Sequence, residues 1–437
     1  MAMGVLFITL FLMLMLGVPV GFAIGGATMF SMYYFSDLNM VVNAQYCYSG
    51  ISSFTVMAIP FFMLAGVIMS TGGIAKRIVN FASAIIDFVT GALGCVTILA
   101  CMFFGALSGS GMATASAIGG MMIPEMRRKG YDPAYAATLV SFGGIVGPII
   151  PPSLSFVLYG ATTGTSVPSL FLAGILPGVF LGLGFLAMNI LMCSRSKTDL
   201  RVSYEAEGAS KVPMSVALKE RGKKIWIATK DGFWALLSPA IILGGIYSGI
   251  FTPTEAACVS VVYSALVSIF VYKELTWKDM YRVLLDAAVL NGITSFLLGY
   301  STVFSTFMTF EKVPKLIAEF LTVFSNNKYI VLLIINLFLL VVGCFLDTVP
   351  AILVFAPMLL PTIKSLGVDP VHFGVIMAVN LAIGLCTPPY GCNLFVGAAV
   401  AKIKMESMFK YIMPLFAIAV VMLMVITYVP WLSLVFL

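Results

Sequence analysis

Charge is what this sequence has least of. Lysine and arginine number 24 and aspartate and glutamate 18 in 437 residues, 10% together, where a soluble domain carries about 25%. That excludes a water-soluble globular enzyme or binding module. Histidine occurs once, at His372, beside Asp369-Pro370 near an expected membrane boundary, so a histidine proton relay has little material. The eight cysteines (Cys47, Cys95, Cys101, Cys193, Cys258, Cys344, Cys386, Cys392) show no CxxC spacing and sit mostly in apolar runs, as small core residues do, rather than as disulfides or transition-metal ligands. HExxH, GxSxG and P-loop patterns are missing, so neither metal-assisted nor ATP hydrolysis finds a motif, and no organic cofactor is expected. The net charge of +6 points to no nucleic acid, because the basic residues are distributed by membrane topology.

Apolar sequence is present in quantity, at 61% of the chain. Between Asp132 and Arg195 there is no charged residue at all, enough for two crossings at about 20 residues each. The first apolar run, Val5 to Val20, lacks a basic flank and continues to Phe30, which reads as a retained span rather than a signal peptide. These features mark an all-α polytopic membrane protein in a lipid bilayer.

The sequence also repeats. Shifted by 237 residues, Met121–Pro177 lies over Met358–Pro414 without a gap. Pro124, Pro133, Pro151, Pro152 and Pro177 fall on Pro361, Pro370, Pro388, Pro389 and Pro414; Gly130, Asp132, Gly147 and Gly160 fall on Gly367, Asp369, Gly384 and Gly397. In an apolar chain, matched Gly/Pro breaks in two halves mark a secondary transporter, with its site at the breaks.

Spans are expected at about 3–30, 53–70, 134–160, 169–192, 232–250, 256–272, 284–308, 371–400 and 411–432. Each half adds an amphipathic stretch, Ile74–Thr90 and Val313–Ser325, then an apolar stretch interrupted at Gly105–Gly111 or Gly343–Pro350. These interrupted stretches read as re-entrant helical hairpins, since irregular backbone at membrane depth needs protein or a water-filled cavity around it. With the N-terminus cytoplasmic, 20 of the 24 basic residues fall inside and only Lys312, Lys315, Lys328 and Lys364 outside, in keeping with the positive-inside rule. The layout makes two inverted-topology repeats, 1–194 and 232–437, the span 232–250 supplying the extra crossing. A basic cytoplasmic linker, 195–231, separates them.

Three elements carry polar chemistry. At Ser108-Gly109-Ser110-Gly111 a broken helix offers carbonyls and hydroxyls to a small hard cation such as Na⁺, and the next helix N-terminus, near Met112–Thr114, offers N–H groups to a carboxylate; close packing of small residues explains the same pattern. Asp347-Thr348 occupies the matching place, Asp347 aligning with Ser110. A carboxylate in an apolar stretch reads as an ion or substrate ligand, or as a cap for the helix after it. The third element is Gly147–Ser153 with its double proline, matched by Gly384–Tyr390; Ser153, Ser155, Thr387 and Asn393 stand near these breaks as side-chain ligands. Glu255 opens a helix and reads as structural.

Gly105-Ala106-Leu107-Ser108-Gly109-Ser110-Gly111, Gly147-Pro148-Ile149-Ile150-Pro151-Pro152-Ser153, Thr252-Pro253-Thr254-Glu255-Ala256 and Thr387-Pro388-Pro389-Tyr390-Gly391 together resemble the large membrane subunit of tripartite ATP-independent periplasmic (TRAP) transporters. The resemblance covers essentially the whole chain. It implies a Na⁺-coupled secondary importer of the bacterial inner membrane working by an elevator mechanism, with a small four-helix membrane subunit, here expected as a separate polypeptide, and a periplasmic substrate-binding protein. Family substrates are mostly carboxylates: sialic acid, C4-dicarboxylates, keto acids and other sugar acids. By the family pattern, sodium maps to Ser108, Gly109, Ser110, Gly147, Pro148, Gly343, Asp347, Thr348, Gly384 and Thr387, and substrate to Ser108, Ser110, Thr114, Ser153, Ser155, Asp347 and Asn393. A stand-alone cation-coupled carboxylate carrier or antiporter is the nearest rival. A non-transporting scaffold subunit would not need matched polar breaks, and a membrane enzyme finds no nucleophile.

Overall fold

A computed structural model of the chain describes residues 2–36, 39–86, 91–195, 214–316, 319 and 327–437. The described residues form helices and no strand. Among them, six helices are long and apolar enough to cross a membrane, or up to seven if the bent pair Ala58–Thr71 and Ile74–Ile86 is one span. Most of the linker, at 196–213, and the ends of both amphipathic stretches, at 87–90 and 320–326, lie outside the described residues.

Each half builds a hairpin and then a broken helix. In the first half, Ala92–Ser108 and Gly111–Arg128 make the hairpin, and Pro133–Gly144 with Leu154–Thr163 the broken helix. In the second, Lys328–Phe345 and Thr348–Ser365 make the hairpin, and Pro370–Gly384 with Cys392–Ala401 the broken helix. The breaks fall where the double prolines remove two consecutive N–H donors, and both Pro151-Pro152 and Pro388-Pro389 are joined by cis peptide bonds. The halves interlock: Gly111–Arg128 packs on Cys392–Ala401, and Thr348–Ser365 packs on Leu154–Thr163. This module therefore draws on both repeats. Around it stands a second group of helices, in which Trp277–Phe310 packs against Val20–Phe35, Met40–Ile51 and Ala58–Thr71.

Two expectations about spans change. Residues 3–30 are not one rod but two helices, Ala2–Met15 and Val20–Phe35, packed on each other. Gly17 has φ +78°, Pro19 precedes the second helix, and Val18 N–H bonds back to Met13 O at 3.0 Å. At 14 and 16 residues these helices reach only about 21 and 24 Å, short of a hydrocarbon core of about 30 Å. Met40–Ile51 is a further helix, given no place by the apolar runs because Asn43, Gln45 and Ser49 dilute it. It packs so closely on Trp277–Phe310 that Gly50 and Gly299 leave no room for side chains facing Thr302 and Cys47.

The expected amphipathic stretch is the helix Ile74–Ile86, turned 68° from Ala58–Thr71. The turn uses Gly73 at φ +80°. It is held by Arg77, which lies 2.5 Å from Glu274 and 3.8 Å above the Tyr272 ring. Glu255 completes a capping box: Thr252 N–H donates to it at 2.8 Å and Glu255 N–H donates to Thr252 Oγ1 at 3.3 Å.

At the start of the first broken helix, Asp132 accepts from Ala134 N–H at 2.8 Å and Tyr411 O–H at 2.7 Å, with Lys410 at 3.5 Å. Burial pushes this carboxyl's pKa up, but those three partners outweigh it and hold it below the usual range. A depressed folded pKa contributes stability that is complete above the unfolded value, about 3.9, and is lost as pH falls through the folded one. Tyr411→Phe is expected to cost about 1 kcal/mol at neutral pH and to flatten the loss of melting temperature below about pH 4. An unchanged acid limb would remove Asp132 as its source.

Candidate functional site

Both hairpin tips are shaped by caps. Ala92–Ser108 ends at Gly109 with φ +61°, and Ser110 caps Gly111–Arg128 by accepting from Ala113 N–H at 3.5 Å. Behind this tip the Thr114 hydroxyl donates to Ser110 O at 2.8 Å and shares a 2.8 Å hydrogen bond with Ser108 Oγ. At the second tip Asp347 is the cap, its Oδ1 accepting from Thr348 N–H at 2.6 Å. The predicted pairing of Ser110 with Asp347 is thus a pairing of N-caps.

Each tip rests on the break beside it through a pair of glycines. A Cβ on Gly105 would lie 2.7 Å from Gly147 Cα, and a Cβ on Gly384 would lie 2.5 Å from Gly343 Cα. Backbones approach this closely only without side chains between them. The two halves differ in one count: Ser110 stands five residues after Gly105, whereas Asp347 stands four after Gly343. The equivalence of 237 residues that holds for the caps and breaks therefore slips by one on the first arm of each hairpin.

Between the tips lies a cavity of about 680 Å³. Ser108, Gly109, Ser110 and Met112 line it from the first tip, and Asp347, Thr348 and Val349 from the second. Facing them are Phe62, Met63, Gly66 and Ser70 of Ala58–Thr71 and Leu290, Ile293 and Thr294 of Trp277–Phe310. Asp347 is the one charged residue among the described lining residues. The rest of the polarity is hydroxyls, tip backbone and the N-terminus of an 18-residue helix, which favours negative charge. The arrangement combines hard oxygen donors suited to a small cation with a positive helix end suited to an anion.

Of the predicted site residues, Ser108, Gly109, Ser110, Asp347 and Thr348 face this cavity. Gly147, Pro148, Gly384 and Thr387 are at the breaks and Gly343 is on the hairpin arm against Gly384, all outside the lining; here Cys344 Sγ donates to Thr387 O at 3.2 Å. Thr114 is turned onto Ser108 and Ser110. Asn393 is buried where the first hairpin meets both broken helices; its Nδ2 donates to Ser141 O at 3.2 Å, and its Oδ1 has no donor among the described residues. Ser153 caps Leu154–Thr163 and donates to Pro148 O, and Ser155 is buried in that half-helix; neither lines the cavity. The opposite wall was missed from the sequence. Its only signal is the spacing Phe62, Gly66, Ser70, every fourth residue on one helix face.

The sequence matches the family described as tripartite ATP-independent periplasmic transporter, DctM component, over residues 7–432. It is 39% identical to the isethionate TRAP transporter permease protein DctMQ of Oleidesulfovibrio alaskensis, over 96% of this chain and 64% of that protein's length. It is 41% identical to the C4-dicarboxylate TRAP transporter large permease protein DctM of Pseudomonas aeruginosa, over 87% of this chain and 86% of that one. It is 35% identical to the sialic acid TRAP transporter large permease protein SiaM of Vibrio cholerae, over 92% and 91%. Among solved structures, the Alcanivorax borkumensis YdaH transporter shares the fold, with a TM-score of 0.56 over 91% of each chain at 16% identity. With its paired hairpins, paired breaks and a family match along nearly its whole length, the chain belongs to the DctM component family of TRAP transporters, the large permease subunits of tripartite systems.

Proposed function

We propose that this chain carries a small organic acid into the cell by sodium-coupled secondary transport, sodium ions being held at the two hairpin tips. The observation that carries this is the cavity between Ser108–Ser110 and Asp347–Thr348, with one carboxylate and no cationic side chain among its described lining residues. An anion entering it meets Asp347. A cation bound at the tips first neutralises that charge and lets a carboxylate settle at the N-terminus of Gly111–Arg128, which couples the two gradients. Relatives named for C4-dicarboxylate, sialic acid and 2,3-diketo-L-gulonate support an acid as cargo. We further propose that the chain lies in the bacterial inner membrane with its N-terminus cytoplasmic. It acts with a small membrane subunit and a periplasmic binding protein, and the hairpin module slides as an elevator against the helices that form the opposite wall.

The test is the melting temperature of the purified chain in NaCl against potassium and choline chloride at equal ionic strength. At about 100 times the dissociation constant a bound ion stabilises by about 2.7 kcal/mol, so a sodium-specific rise of several degrees is expected, reduced in Ser110→Ala. Equal curves in the three salts would refute sodium binding at the tips.

A further inference from the structure

The second repeat holds a buried polar seam that the first does not match. Tyr135 and His372 stand 237 residues apart, at equivalent places on the two broken helices. Each binds the closing helix of its own half: Tyr135 O–H donates to Asn189 Oδ1 at 2.6 Å, and His372 Nε2 lies 3.2 Å from Thr427 O. His372 is thus buried, at 2% exposure. In the first half Asn189 passes its hydrogen bonds to Gly91 O and Cys95 Sγ. In the second half the seam runs on. Asn336 Nδ2 donates to Thr427 Oγ1 at 2.9 Å, and Asn380 Nδ2 donates to both Oδ1 and O of Asn336, at 2.8 and 2.9 Å.

The inner end of this seam is close to the tip. Asn380 precedes Gly384 by four residues and Asn336 precedes Gly343 by seven, about one and two helical turns. Gly384 and Gly343 are the glycines in contact. One amide gripping both the side chain and the backbone of Asn336 fixes how the hairpin arm slides and rotates on the broken helix. The first half does this differently: the counterpart of Asn380 is Gly143, which lies so close to Cys101 that an added Cβ would sit 2.9 Å from its sulfur. Buried amides are unfavourable unless fully paired, and Asn380 Oδ1 has no donor among the described residues. Stability alone would favour the apolar solution of the first half.

We propose that the Asn336–Asn380 clasp positions the Gly343–Gly384 contact and thereby sets how tightly the second tip holds its cation. This rests on the reading of the tips as sodium sites. Neither asparagine touches the cavity; both act through the glycine contact, as positioning residues.

The experiment measures the sodium dissociation constant, the midpoint of site occupancy, from the rise of the purified chain's melting temperature with sodium concentration, choline chloride holding ionic strength constant. Asn380→Gly, which installs the residue of the first half, and Asn336→Leu are each expected to raise that midpoint about tenfold, the size typical of outer-shell changes at metal sites. Well above the midpoint the melting temperature still rises with the logarithm of sodium concentration, and the double variant is no worse than either single. Tyr135→Phe loosens the lock of the other half and leaves the midpoint at its wild-type value. The midpoint is a ligand concentration, so a lower baseline melting temperature does not imitate the effect. Should Asn380→Gly not survive purification, Asn380→Ser keeps a hydrogen-bonding group and is expected to fall between it and wild type. Wild-type midpoints in the asparagine variants overturn the proposal. A wild-type chain with no sodium shift overturns the sodium reading of the tips, and the clasp's role falls with it.

Discussion

Uptake by Asp347→Asn is expected to need about 100-fold more sodium than wild type, which at ordinary sodium concentrations is loss of transport. Removing a charged ligand from a buried hydrogen-bonded site costs about 3 kcal/mol, and each step of about 1.4 kcal/mol is tenfold in affinity. Asparagine keeps an oxygen able to accept from Thr348 N–H, which Asp347 now does at 2.6 Å, so the cap of Thr348–Ser365 survives. Asp347→Ala loses both charge and cap, the latter worth about 1 kcal/mol. The comparison separates the two roles: uptake is lost in both variants, whereas the melting temperature falls mainly in the alanine variant. A wild-type sodium curve for Asp347→Asn, measured in vesicles bearing the complete transporter, would remove the carboxylate from coupling.

The second large effect is expected from a single methyl group. A Cβ on Gly384 would lie 2.5 Å from both Cα and C of Gly343, a backbone contact with no flexible side chain to yield. Gly384→Ala must push the second hairpin off its break, at about 1–3 kcal/mol of overpacking, with transport abolished even where the protein still folds. Gly147→Ala meets Ser110 O and Thr114 Oγ1 at 2.9 Å and is expected to disturb the first tip likewise. Gly120, in an arm of the first hairpin, has nothing within 4 Å of a built Cβ. Gly120→Ala is the control, neutral or stabilising by up to about 1 kcal/mol. Melting temperature and uptake of the three variants, read together, check the assignment. Normal transport by Gly384→Ala would show that the tip and break need not touch.

The hairpins and breaks were legible in the sequence because glycine and double proline are strong breakers wherever they occur, and the repeat set them in pairs. Ser110 and Asp347 were legible as equivalents for the same reason. The wall formed by Phe62, Gly66, Ser70 and Thr294 was not, since an apolar helix carries the same residues whether a face meets lipid or a cavity. The first span was misread because Gly17-Val18-Pro19 lies inside a long apolar run, where hydropathy alone continues through a turn. His372 was placed by its neighbours Asp369 and Pro370, and only the fold shows Thr427 and Asn336 beyond it.

The count of five residues from Gly105 to its cap and four from Gly343 to its own has a bearing on whether the two halves could be exchanged. One additional helical residue rotates the rest of the helix by about 100° and advances it by about 1.5 Å. The halves are therefore not interchangeable: one placed where the other stands would carry its glycine contact on a different face of the arm, and the two tips present different groups, a neutral serine at one and a carboxylate at the other.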